Sequence, residues 1–150
     1  MTDNVADGAA HSTDDDLGRV RGALSSLPMP PTLRALRGAT TFDVDEAEHV
    51  AERVLELLDG MLSGNGVHHD DVVSILFTAT DDLTSIFPAT VARRRGLGDV
   101  PLICARELAI EGSMPRCVRV MMHLHTDRDR SALRHVYLHD AAALRDDLPS

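Results

Sequence analysis

The sequence predicts an α/β (α+β) domain, a mixed β-sheet packed with helices, on three observations. Residues 72–79 form an apolar, β-branched run of strand length, bounded by polar residues. Residues 117–125 alternate strictly, with Val118, Val120, Met122 and Leu124 on one face and Arg119, Met121 and His123 on the other. Val50, Val54, Leu57, Leu58 and Met61 recur at the spacing of a helix that buries one stripe. Strands interleaved with helices of this length give a mixed sheet rather than a bundle or a sandwich.

The elements follow in order. Residues 1–16 combine Asp14, Asp15 and Asp16 with Gly, Ala, Ser and Thr, and offer almost nothing to bury. Residues 17–28 make a short helix that Pro28, Pro30 and Pro31 break. Residues 1–31 are therefore expected to be an acidic, flexible extension, and residues 32–150 the folded domain. A first strand spans 33–37 and stops at Gly38; Asp43 and Glu46 have the spacing of a capping box opening the long helix. Residues 63–66, Ser-Gly-Asn-Gly, end that helix. The strand at 72–79 is expected to be buried on both faces. Pro88 suits the first position of a helix that continues through 89–95. Short strands follow at 100–104 and 134–138, on either side of the alternating strand, and 141–144 forms a turn of helix.

Composition narrows the function. At 150 residues the chain holds one domain with a sizeable core. No apolar run approaches the roughly 18 residues that a membrane span requires, and the first residues have neither the basic nor the apolar part of a secretory signal. The net charge is −9, which disfavours general nucleic-acid binding, and without Trp there is little to stack bases on. Cys104 and Cys117 are too few for a disulfide framework and read as reduced thiols of a cytoplasmic protein. All 15 basic residues are arginine, the side chain that grips carboxylates bidentately.

Arg119 lies inside the alternating strand, on the face of Cys117 and Met121. A guanidinium there needs solvent, a structural carboxylate or an anionic ligand, and position alone does not choose among them. Glu107 and Tyr137 are equally open. Chemistry by a Ser-His-Asp set, a Gly-rich phosphate loop or a metal has no matching motif. His123, His125, His135 and His139 fall short of a metal set in tetrahedral reach and read as polar-face histidines. Arg94 and Arg95 read as solvated surface.

Beyond this point the argument rests on resemblance. Leu36-Arg37-Gly38-Ala39-Thr40-Thr41 resembles the opening motif of the AroH-class monofunctional chorismate mutases. So, in order, do Thr78-Ala79-Thr80-Asp81-Asp82-Leu83, Phe87-Pro88-Ala89 with Arg93, and Val100-Pro101-Leu102 with Cys104 and Glu107. Cys117-Val118-Arg119-Val120-Met121-Met122, Arg134-His135-Val136-Tyr137-Leu138 and Leu144-Arg145-Asp146-Asp147-Leu148 complete the match over about 33–148. The resemblance implies a homotrimer of compact subunits in a pseudo-α/β-barrel, with active sites in the clefts between subunits and no cofactor. It implies that the dianion chorismate rearranges to prephenate in phenylalanine and tyrosine biosynthesis. By position in these motifs, Arg119 resembles the donor to the ether oxygen. Glu107 and Cys104 resemble the groups that meet the ring hydroxyl, and Arg37 and Tyr137 those that hold a carboxylate. Phe87, Ala89 and Arg93 resemble pocket residues from across the subunit boundary. Leu102 lines the pocket, and Leu144 and Arg145 belong to a segment that closes over it. Thr90 stands where a lysine is familiar, and Ile103 where a threonine is. Two other functions fit the architecture: an imine-deaminating or ligand-binding trimer, which does not require Arg37, Glu107, Arg119 and Tyr137 together, and a silent homologue that only binds such dianions.

Overall fold

The computed structural model describes residues 13–25 and 30–145. The chain divides into two units, Met1–Pro30 and Pro31–Ser150. In the first, helix α1 spans Thr13–Ser25. It opens earlier than expected because Asp14, Asp15 and Asp16 occupy its first turn, where carboxylates favour the helix dipole. Residues 26–28 of the expected helix lie outside the described residues, as do 1–12 and 146–150. Leu17, Val20 and Leu24 form an exposed apolar stripe on α1.

The second unit contains β1 (Thr32–Thr41), α2 (Ala47–Asn65), β2 (Val72–Ala79), α3 (Pro88–Ala92), β3 (Leu102–Arg106), β4 (Cys117–Thr126) and β5 (Val136–Tyr137). The strands form one sheet in the order β3-β2-β4-β1-β5. β4 runs antiparallel to both of its neighbours, whereas β2–β3 and β1–β5 are parallel, so the sheet is mixed as expected. Helix α2 lays Val50, Val54, Leu57, Leu58 and Met61 on one face, against Leu36, Ile75, Phe77, Val118, Val120, Met122 and Leu124, and all of these side chains are buried. That contact is the core.

Several boundaries differ from expectation, each for a physical reason. β1 does not stop at Gly38 but continues to Thr41. The glycine is there because α2 comes so close that a Cβ would lie 2.5 Å from Met61 Sδ and 3.0 Å from Leu57 Cδ1. The expected capping box of Asp43 and Glu46 does not form. The N-cap is Glu46 without a side-chain bond, and the Asp43 carboxylate instead accepts from Arg53 at 2.8 Å. At the far end, Gly66 takes the left-handed conformation (φ 60°) that closes the helix. β2 is not buried on both faces: Val73 sits at a bulge between Val72 and Ser74 and is exposed. Helical backbone runs through residue 95 as expected, but α3 passes at Arg93 into a wider π turn, Arg93–Leu97, and first leaves helical geometry at Gly96 (φ 102°). β3 begins at Leu102 rather than Val100 because Pro101 has no N–H to give the ladder; its carbonyl accepts from Ile75. β5 has two residues, not five. Arg134 is held outside the ladder by the buried Asn65 amide, which accepts from its N–H at 2.7 Å and donates to its carbonyl at 2.9 Å. The expected helical turn at 141–144 forms, as part of a longer 3₁₀ helix, His139–Arg145. No helix among the described residues is long and apolar enough to cross a membrane.

Candidate active site

Register across the sheet assembles the site. Arg119 on β4 pairs with Thr78 on β2 and with Ala39 on β1, and Ala39 pairs with Tyr137 on β5. Directly paired residues share a face, so these four side chains form one row on the face away from α2. Arg37, two residues before Ala39, shares that face, as does Cys117, two before Arg119.

Arg119 has a carboxylate partner. Its Nε lies 3.3 Å from Glu107 Oε2, with the two side chains 34% and 22% exposed. Glu107 is fixed independently: Thr78 Oγ1 donates to the same oxygen at 2.7 Å, and the Glu107 N–H donates to the Ala79 carbonyl at 2.9 Å. The Nε–H of Arg119 nevertheless does not point at the carboxylate, and Nε is buried without a hydrogen bond. The Tyr137 hydroxyl is in the same condition. Arg34 Nε and Thr40 Oγ1 also lack partners, but neither lines the cavity described next. An unpaired buried polar group costs about 1–3 kcal/mol, and both residues that carry one here border the same hollow. Arg37, Gly38, Ala39, Arg119, Val120, Tyr137, Leu144 and Arg145 line that hollow, whose volume is about 60 Å³. Ligand clefts span roughly 300–1,000 Å³. One chain therefore presents a cationic wall, not a whole cleft.

The other expected residues lie elsewhere in the chain. Cys104 pairs with Phe77, a core side chain, so its thiol leaves the sheet on the face opposite Arg119, and it is half-buried. It lines a second, open cleft of about 480 Å³ with Phe87, Pro88 and the 79–86 loop. Phe87 is 71% exposed and Ile103 61%. Ala89 is buried, Thr90 is half-buried and Arg93 is exposed. Leu102 packs against the core. The fold thus gathers Arg37, Glu107, Arg119, Tyr137, Leu144 and Arg145, and does not bring Phe87, Ala89, Thr90, Arg93, Leu102, Ile103 or Cys104 to them within one chain. The loop that carries Phe87 is tied by Asp45, whose carboxylate accepts from Thr84 Oγ1 at 2.6 Å and from the Thr84 and Ser85 N–H groups. The Thr84 and Ser85 side chains, and after them their backbone groups, lower its pKa to about 2.

Three residues at the cationic wall are given no role in the site by the sequence, although Cys117 already shares the face of Arg119 there. Thr78 orients Glu107. Cys117 sits beneath Arg119; burial pushes its thiol up, against the pull of the Arg119 guanidinium. The His135 ring accepts from the Arg37 N–H at 3.0 Å through Nδ1. Burial lowers its pKa, and the Arg37 and Arg145 charges add to that. Period-two spacing alone puts Cys117 on the face of Arg119, whereas Thr78 comes beside it only once the strand order is known.

The family model described as chorismate mutase type I matches residues 33–148, which contain every residue of this wall. The chain belongs to that family. A chorismate mutase AroH of Thermus thermophilus is 44% identical over 119 residues, 79% of this chain and 98% of the relative. One from Bacillus subtilis (strain 168) is 38% identical over 77% of this chain and 92% of its own. A solved chorismate mutase from Clostridium thermocellum superposes with a TM-score of 0.72 at 42% identity, covering 73% of this chain and 98% of that one. Among the described residues, no three His, Cys, Asp or Glu side chains cluster as a metal site.

Proposed function

We propose that the chain converts chorismate to prephenate by an intramolecular Claisen rearrangement, in clefts between the subunits of a homotrimer, as a cytoplasmic isomerase of aromatic amino acid biosynthesis. Residues 32–150 form the mutase domain, and residues 1–31 an extension. The observation that carries the reading is the buried, unpaired Nε of Arg119 on the central strand, beside a hollow shared with Arg37 and Tyr137. The reaction needs no proton transfer and no covalent intermediate, so the protein contributes conformational restraint and electrostatics. The C–O bond breaks ahead of C–C formation, and negative charge gathers on the ether oxygen. A guanidinium fixed there binds the transition state better than the substrate, which is the condition for raising the rate. Glu107, held by Thr78, keeps an oxygen for the ring hydroxyl, while Arg37 and Tyr137 hold a carboxylate in the folded conformer.

The subunit arrangement is supported by the division of the residues. The Cys104 thiol leaves the sheet on the face opposite the cationic wall, the cleft it shares with Phe87 opens at the β3 edge, and Phe87 and Ile103, the latter on β3 itself, stand out into solvent there. A second copy that brings its Phe87 cleft to the wall of the first completes a site of substrate size. Cys104, Ala89, Thr90, Arg93, Leu102 and Ile103 then belong to the neighbour's half, with Leu144 and Arg145 closing the wall's own side. The two free thiols accord with a reducing compartment.

Loss of the chorismate diene absorbance, with no metal or nucleotide added, tests the activity, and light scattering tests the trimer. Arg119→Ala is expected to stay folded and trimeric while kcat falls by at least 10²–10³, the cost of losing one preorganised donor. Near-normal kcat would remove Arg119 from this role.

A further inference from the structure

The Arg37 N–H belongs to the β1 backbone, yet its acceptor is not a backbone carbonyl. It is Nδ1 of His135, 98 positions away in the chain. On the other side of the same contact, the Leu138 N–H donates to the Ala39 carbonyl at 2.9 Å. Between these two bonds lie the only paired residues of β5, Val136 and Tyr137. The imidazole therefore completes a ladder that is otherwise two residues long, and it does so at the junction of Arg37 and Tyr137, the two residues read above as holding the substrate carboxylate. Asn65 holds Arg134, immediately before His135, so the ring cannot follow if β1 shifts.

We propose that His135 is a positioning residue for substrate binding: its neutral ring, protonated on Nε2, holds the Arg37 backbone and thereby aims the Arg37 guanidinium and the Tyr137 hydroxyl. This rests on the mutase reading for the role of Arg37. A ring protonated on both nitrogens has no lone pair to accept the Arg37 N–H. It would set donor against donor and add a third positive charge between Arg37 of β1 and Arg145 of the C-terminal turn, the charged groups that act on it. Where α2 meets Arg134 and Val136 it presents the uncharged Asn65 and Gly60, and its charged Arg53 and Glu56 bond His139, four positions beyond the ring. Burial and both arginines hold the ring neutral, so the device is set for binding at neutral pH and released on acidification. Arg119 sits on β4 and its bonds do not pass through the ring. The effect therefore falls on KM and not on kcat.

The test uses the full-length protein and three readouts. Histidine ring NMR is expected to show Nδ1 unprotonated and Nε2 protonated at pH 7.5. Amide exchange at Arg37 is expected to quicken at least tenfold in His135→Leu, and to stay near wild type in His135→Asn, whose amide oxygen can stand where Nδ1 stood. In steady-state assays, wild-type KM is expected to rise about tenfold per pH unit below the ring's titration, with kcat changed less than twofold. His135→Asn is expected to abolish that rise, and His135→Leu to raise KM at least tenfold at every pH. Wild-type protein without turnover overturns the mutase reading, while amide exchange still decides whether His135 holds Arg37. An active wild type with unchanged Arg37 exchange or unchanged KM in His135→Leu overturns the role of His135. So does a His135→Asn variant that keeps the acid rise in KM.

Discussion

Gly38→Ala tests the packing that places Arg37 and Ala39. The added Cβ would lie 2.5 Å from Met61 Sδ and 3.0 Å from Leu57 Cδ1, where carbon contacts are most favourable near 3.5–4.0 Å. Relief needs a movement of about 1 Å. The β1 backbone cannot supply it, because it is paired to β4 at Val120 on one side and to β5 at Val136 on the other. The movement must come from Met61, which is fully buried, and from Leu57 one turn away. Overpacking of this kind costs about 1–3 kcal/mol, a drop in Tm of about 4–12 °C for a domain of this size. Gly64, on the same helix, is the control. A Cβ there meets nothing, so Gly64→Ala is expected to stabilise by about 0.5–1 kcal/mol through helix propensity. Urea and thermal unfolding at fixed protein concentration read both variants, and a double-mutant cycle of Gly38→Ala with Met61→Ala should return a coupling of about 1 kcal/mol or more. If Gly38→Ala unfolds with the wild type, or the cycle shows no coupling, the close approach of α2 to β1 is not what this glycine serves.

Thr78→Val removes the hydroxyl that orients Glu107. A bond to a charged acceptor is worth about 1.5–3 kcal/mol, so kcat/KM should fall about tenfold or more with folding intact; an unchanged value would mean that Glu107 needs no support. Asp45→Asn weakens the tie on the loop before Phe87. Because the folded Asp45 titrates near 2, below its ordinary 3.8, its contribution is present above pH 4 and fades as the pH falls toward 2. The variant should thus unfold about 1 kcal/mol more easily at pH 7, after allowance for solvent screening, and the gap should close in acid. A gap that widened in acid would contradict the sign. Thr90→Lys adds a cation to the half of the site that we propose a neighbouring subunit supplies, and is expected to lower KM several-fold with kcat unchanged. A higher KM would show that Thr90 faces away from the substrate.

What could be read from the sequence follows the strength of each periodic signal. The α2 stripe and the alternation of β4 were legible because each buries one face and exposes the other, so composition itself marks the fold. The ends of β1, β3 and β5 were not, because they depend on partners distant in the chain. Gly38 looks like a stop until α2 is seen pressing on it, and Arg134 looks like strand until Asn65 takes its backbone bonds. In the site, an arginine on a strand announces its need for an anion, but not that Glu107 stands beside it, 12 positions earlier. Resemblance supplied Glu107, Arg37 and Tyr137. It did not supply Thr78, whose bond spans 29 positions, or His135, whose bond spans 98. Those residues are connected only through strand order.

β4 is paired on both edges, so the peptide at Arg119 has no slack in which to wander. A cation anchored there is a poor place to look for tolerance toward altered substrates. In the proposed assembly, adaptation has more room at side chains that project from the sheet edge, such as Phe87 and Ile103, than at Arg119. Directed evolution toward bulkier enol ethers should accordingly accumulate its changes there while leaving the middle of the sheet untouched.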